Sequence, residues 1–215
     1  MASVFVTGGT GYLGRALIPA LLERGHAVRV LARPSSAAKL PNRCTPVIGD
    51  PLVRETFAGH IEPADTFIQL VGTPHPAPWK GEQFRAVDRV SALASIAAAK
   101  EAGIRHFVYV SVAQPAPIMR DYLAVRAECE AALRASGMPA TILRPWYILG
   151  PGHWWPSALI PFYRVMEWIP STAAGARRLG LVTLRQMVEA LVQAVEQPVD
   201  KGVQVLDVAK ILKHE

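Results

Sequence analysis

The stretch Thr7-Gly8-Gly9-Thr10-Gly11-Tyr12-Leu13-Gly14 decides how this chain is read. It follows a short apolar run, residues 3–7, and opens an amphipathic stretch, residues 11–24. That order predicts a strand, a tight loop and a helix. Glycine at 8, 11 and 14 lets the chain turn sharply, approach a ligand closely, and pack the helix against the strand. The helix then aims its first-turn N–H groups, and the positive end of its dipole, at an anion such as a pyrophosphate. Gly8, Thr10, Gly11, Tyr12, Leu13 and Gly14 are therefore candidate phosphate-binding residues.

Outward from this loop, the chain alternates short β runs with helical periodicity. Further strands are expected at 27–32, 45–48, 66–71, 106–111, 140–144 and 203–208, and helices at 51–58, 81–102, 120–136, 156–168 and 184–196. Gly25, Gly103 and Gly137 stand just past three of the helices, where a left-handed residue ends a helix. Thr183 with Gln186 three residues on forms a capping-box pattern before the last helix. Strands that alternate with helices and are apolar on both faces predict an α/β fold, a doubly wound parallel sheet with helices on both sides. No linker or repeat divides the chain, so residues 1–215 read as one domain, with residues 150–182 adding a small irregular substrate lobe.

Composition excludes several classes. Of 215 residues, 51% are hydrophobic and 19% charged, too apolar for a disordered chain and sufficient for a sizeable core. Lys and Arg exceed Asp and Glu to leave a net charge of +6. These cations are dispersed, Arg177-Arg178 being the one adjacent pair, so no nucleic-acid partner is expected, and an anionic ligand accounts for part of the charge. Two cysteines, Cys44 and Cys129, form no disulfide framework, Cys129 reads as buried and inert, and the six histidines show no metal-ligand spacing, so no metal is expected. Residues 145–163 carry no Asp, Glu, Lys or Arg, but Pro145, Gly150, Pro151, Gly152, Pro156 and Pro161 break any spanning helix. The N-terminal sequence lacks a basic leader, and a cytoplasmic location is expected.

In a doubly wound sheet, ligands bind at the carboxyl ends of the strands. Arg33 ends the second strand, with Ser35-Ser36 behind it, where a preference for NAD would favour Asp or Glu. A guanidinium forks a phosphate and stacks on adenine, so the expected cofactor is NADP(H), with NAD(H) as the alternative and a solvated surface charge as the plain reading of Arg33. Asp50, after the third strand, reads either as an acceptor for the adenine amino group or as the N-cap of a helix from Pro51. Val71 and Gly72 end the fourth strand and join the cofactor-binding set.

Thr7–Gly14, the run Ala99-Lys100-Glu101-Ala102-Gly103-Ile104-Arg105-His106-Phe107-Val108-Tyr109-Val110-Ser111, the Tyr122 to Arg126 spacing, and Leu143-Arg144-Pro145-Trp146-Tyr147-Ile148-Leu149-Gly150-Pro151-Gly152 occur in this order along nearly the whole chain. In these the chain resembles the short-chain dehydrogenase/reductase superfamily, in its extended and atypical branches, which include NmrA-like proteins and the NAD(P)-binding subunit related to respiratory complex I. The resemblance implies a hydride-transfer site. Ser111 matches the Ser or Thr that hydrogen-bonds a substrate oxygen, and Tyr122 matches the catalytic acid/base. Where the family has a lysine that holds the nicotinamide ribose, this chain has Arg126. On one helix face with Tyr122, it still places a cation beside the phenol, but a guanidinium does not relay a proton.

The resemblance also places Pro145, Trp146 and Ile148 against the nicotinamide, with core packing as their alternative role. His153, Trp154 and Trp155 follow a Gly-Pro-Gly turn and read as substrate contacts or as the core of the small lobe. In many relatives the two long helices, residues 81–102 and 120–136, form a dimer face, so a homo-oligomer is compatible. The leading expectation is an NADPH-dependent reductase of a small apolar carbonyl or quinone. A non-catalytic redox sensor or scaffold comes second, and a nucleotide-sugar epimerase or dehydratase third.

Overall fold

The computed structural model describes residues 1–116, 118–152 and 179–214. Seven strands, β1 (Ser3–Thr7), β2 (Ala27–Ala32), β3 (Thr45–Ile48), β4 (Thr66–Gln69), β5 (His106–Val110), β6 (Ala140–Arg144) and β9 (Val203–Asp207), form one sheet in the order β3-β2-β1-β4-β5-β6-β9. Every pairing in it is parallel. The order reverses between β1 and β4, and there the two strands' carboxyl ends part to leave a crevice. This is the doubly wound α/β fold expected.

Helix α1 (Tyr12–Glu23) and helix α4 (Leu184–Glu196) cover one face, where Val4, Val6, Val30, Ile68 and Val108 of the sheet meet Leu17, Ile18, Leu21, Met187 and Leu191. The other face is covered by α2 and by α3 (Arg120–Ser136); α2 runs from Gly81–Gln83 through a π-helical stretch, Phe84–Arg89, into Val90–Glu101. Phe5, Phe67 and Phe107 stand side by side on neighbouring strands with ring centroids 5.2 and 5.1 Å apart, a stacked ladder under α2 and α3. Each fully buried ring stabilises the fold by roughly 1.5–3 kcal/mol.

The local signals act as expected at the helix ends. Gly25, Gly103 and Gly137 take φ values of +80°, +66° and +77°, and Thr183 and Gln186 exchange both bonds of a capping box. Three elements differ from expectation. Residues 51–58 form no α-helix: a turn leads into two 3₁₀ turns, Arg54–Thr56 and Ala58–His60. The Thr56 hydroxyl bonds the carbonyls of Val53 and Asp50 and accepts from the Asp50 N–H, offering the backbone a local alternative to the helix. Two three-residue strands, β7 (Tyr147–Leu149) and β8 (Leu181–Thr183), pair in a second small parallel sheet that periodicity did not signal. A one-turn helix, α5 (Val208–Ile211), capped by the Asp207 side chain, ends β9. The helix expected at 156–168, and His153, Trp154 and Trp155, lie outside the described residues.

Candidate functional site

The loop from β1 to α1 is shaped by close contacts. A side chain at Gly8, whose φ is +74°, would place its Cβ 2.8 Å from the backbone of Leu70 and Val71, and one at Gly14 would lie 2.5 Å from the Cα of Gly9. Gly9, which the sequence reading passed over, is equally constrained: its Cβ would meet Val30 Cγ1 at 2.4 Å. The Gly11 N–H closes the turn onto the Gly8 carbonyl at 3.0 Å, and the first helical bond runs from Arg15 N–H to Gly11. The N–H groups of Tyr12, Leu13 and Gly14 therefore have no intrahelical acceptor and sit at the positive end of a 12-residue helix.

Beside this loop lies a cavity of about 380 Å³ at the carboxyl ends of the strands. Gly8, Thr10, Gly11, Arg33, Asp50, Val71 and Gly72, all anticipated from sequence, line it. Ser36, noted in the sequence behind Arg33, lines it too, and Leu52, Pro74 and Val87 line it and were missed. Leu52 and Pro74 follow from the strand-end rule applied to every loop, whereas Val87 enters from the π-helical turn, which no pattern announced. Arg33 is exposed, and its guanidinium makes no ion pair among the described residues. Asp50 turns one carboxylate oxygen to the Leu52 N–H at 2.9 Å, capping a local turn rather than a helix.

The opposite half of the carboxyl edge is arranged differently. Tyr122 packs on Phe84 with centroids 4.8 Å apart, and the Arg126 guanidinium lies 5.0 Å from the Tyr122 ring centroid. Arg126 itself is 5% exposed and turned inward. It donates to Asp88 Oδ1 at 2.6 Å, to the Tyr109 hydroxyl at 3.1 Å and to the Val110 carbonyl at 2.9 Å, leaving Nε as a buried donor without a partner among the described residues. Burial pushes the Tyr109 phenol far above its ordinary range, so it stays protonated beside this cation. Ser111 is buried and donates its hydroxyl to Glu130 Oε1 at 2.6 Å, where Gln114 and Arg144 converge as well. Trp146 and Ile148 pack on the α1/α4 side of the core, Ile148 within β7, and neither lines the cavity. Tyr12 reaches the neighbourhood of Gly150, where a Cβ would meet its hydroxyl at 2.4 Å. Cys129 and Cys44 are buried, free, and held as thiols by burial.

A larger cleft, about 730 Å³, opens at the amino edge, lined among others by Arg24, His26, Asp65, Arg105, His106 and Glu196. Its arginines are paired with Asp65 and Glu196, and it faces the C-terminal ends of α1 and α4, whose dipoles disfavour an anion. The glycine loop faces the smaller cavity. No group of three potential metal ligands occurs among the described residues. None of their helices is long and apolar enough to cross a membrane.

A parallel sheet with a crevice at its switch point, floored by glycines and a helix N-terminus, defines a dinucleotide-binding protein of the Rossmann type. The sequence pattern described as NAD(P)H-binding matches residues 8–151, and the chain belongs to that family. It is 33% identical over 154 residues to a ceramide reductase of Caulobacter vibrioides, covering 69% of this chain and 47% of that protein. Over 168 residues it is 31% identical to the 4-hydroxy-2-methyl-3-oxo-4-farnesyl-3,4-dihydroquinoline-1-oxide ketoreductase of Stigmatella aurantiaca, covering 68% and 50%. The chain thus spans about half the length of these curated relatives. In fold it is similar to a short-chain dehydrogenase/reductase superfamily protein of Agrobacterium tumefaciens with bound NAD, at a TM-score of 0.69 and 20% identity, covering 98% of this chain and 81% of that one.

Proposed function

We propose that the protein is an NADP(H)-dependent oxidoreductase that reduces the carbonyl or quinone of a small apolar molecule. The observation that carries this reading is the exposed, unpaired Arg33 at the β2 end of a glycine-floored cavity, with Ser36 beside it. The N-terminus of α1, with its N–H groups and positive dipole end beside the glycine loop, fits a pyrophosphate, and the Arg33 fork fits a ribose 2′-phosphate. A bound nicotinamide supplies hydride to the substrate carbon. Tyr122 donates the proton to the substrate oxygen. The Ser111 hydroxyl, its own proton directed to Glu130, offers lone pairs and orients a hydroxyl partner. Arg126 steadies the Tyr122 ring from beneath rather than reaching for the ribose. Pro145 lies next to this half through its carbonyl, which accepts from the Ala113 N–H at 2.9 Å. The ceramide reductase and the farnesyl-dihydroquinoline-oxide ketoreductase to which the chain is similar support an apolar substrate.

A second reading, a dinucleotide-binding sensor or scaffold without turnover, is favoured by one observation: the Arg126 Nη groups and the Ser111 hydroxyl donate to partners within the protein. Calorimetric titration with NADPH and NADH, then NADPH oxidation assays with apolar ketones and quinones, test both. Binding of NADPH at least about tenfold tighter, with turnover abolished in Tyr122→Phe, supports the first reading. Binding without turnover on any substrate supports the second. Binding of neither dinucleotide overturns both.

A further inference from the structure

Asp88 is fully buried, yet it touches both halves of the carboxyl edge. It lies in the π-helical stretch of α2, a widened turn of a kind that recurs at functional sites and that here directs the side chain inward. Its Oδ2 accepts from the Thr73 N–H at 2.9 Å and from the Thr73 hydroxyl at 2.6 Å, and its Oδ1 accepts from Arg126 at 2.6 Å. The backbone of Val71 and Gly72, just before Thr73, lines the dinucleotide cavity. That backbone rests on the ion pair: a Cβ at Gly72 would lie 2.6 Å from Arg126 Nη2 and 3.2 Å from Asp88 Oδ1. The preceding residue, Val87, lines the cavity itself.

Asp88 also connects back to the glycine loop. Its backbone carbonyl accepts from Ser91 Oγ at 3.2 Å, and Ser91 Oγ accepts from Gln69 Nε2 at 3.1 Å. Gln69 in turn accepts from the Thr7 hydroxyl, one residue before Gly8. Every side chain in this series is buried.

We propose that Asp88 is a positioning residue for the dinucleotide: its carboxylate fixes the 71–73 backbone at the cavity wall and holds Arg126 beneath Tyr122. The proposal rests on the dinucleotide-binding reading above. One carboxylate serves two donor groups on opposite sides, and an amide cannot. In Asp88→Asn the single oxygen faces either Arg126 or Thr73, and the NH₂ group meets a donor on the other side.

The test is calorimetric titration with NADPH on folded Asp88→Asn, Thr73→Val and Thr73→Ser, with thermal melting as the control for folding. Asp88→Asn is expected to weaken NADPH binding about tenfold, Thr73→Val about threefold, and Thr73→Ser, which keeps the hydroxyl, to bind like wild type. A folded Asp88→Asn with wild-type affinity and only a lowered melting temperature overturns the proposal and leaves the parent reading standing. If Asp88→Asn does not fold, the Thr73 pair decides: Thr73→Val equal to wild type overturns it, and weakened binding restored in Thr73→Ser supports it. Wild-type protein that binds no NADPH overturns the parent reading and this proposal together.

Discussion

The two halves of the carboxyl edge handle their polar groups in opposite ways. On the β1–α1–β2 side, the helix N-terminus keeps three N–H groups without an intrahelical acceptor and Arg33 stands exposed. On the β5–α3–β6 side, Ser111 and Arg144 donate to Glu130, and Arg126 donates to Asp88. A helix N-terminus and an exposed arginine at a cavity edge suit a ligand that brings its own charge. Buried, mutually bonded groups mark a surface whose shape is fixed before any ligand arrives, because leaving one unpaired is costly.

The comparison breaks most visibly at Glu130. It is 3% exposed and accepts from Ser111, Gln114 and Arg144. Glu130→Ala is expected to lower stability by about 3 kcal/mol, read from urea denaturation, because it strands a buried hydroxyl and a partly buried guanidinium. A change below about 1 kcal/mol would show that this half is not held by its polar network.

His106, the first residue of β5, lies at the opposite, amino edge and tests a buried polar group there by pH. It is 1% exposed and bonded through Nε2 to Thr141 at 3.0 Å, and burial pulls its pKa from 6.5 to about 4. The unfolded chain takes up this proton near pH 6.5 while the folded chain resists it until about pH 4. Stability is therefore complete above 6.5 and falls as pH drops through that window, by about 3 kcal/mol from this group. His106→Leu should flatten that part of the profile, and parallel wild-type and variant profiles from pH 6.5 to 4 would remove His106 as its source.

On the open half the expected effect is smaller and lies in binding. Arg33→Ala should weaken NADPH about tenfold, about 1.4 kcal/mol, and leave NADH unchanged in calorimetry. Equal losses for both dinucleotides would assign Arg33 to adenine stacking rather than to the phosphate. Smallest is Thr183→Ala, outside the lining of the glycine-floored cavity, which removes one side of the α4 capping box and should cost about 1 kcal/mol in thermal or urea denaturation.

The same contrast explains what the sequence disclosed. The open half is written in local signals: a glycine loop, a strand-end arginine and helix-ending glycines each act within a few residues of themselves, and Gly8, Gly11, Arg33 and Asp50 do meet in one cavity. The closed half depends on partners far apart in the chain. Arg126 looks like a substitute for a lysine until Asp88, 38 positions away, is seen to hold it, and Ser111 looks free until Glu130 is placed beside it. Residues 51–58 misled because helix periodicity there competes with Thr56, whose hydroxyl bonds locally. The β7–β8 pair escaped notice because strands of three residues carry no period.

That short pair has a consequence for redesign. Residues 147–149 and 181–183 pair in parallel, Leu181 beside Tyr147 and Thr183 beside Leu149, so the chain leaves one end of this small sheet and re-enters at the other, a single short strand away. A segment anchored at two adjacent posts can be exchanged for a longer or shorter one at a loop-closure cost that grows only slowly with length. Replacement of the chain between Leu149 and Leu181 is thus expected to leave the seven-stranded sheet paired as it is.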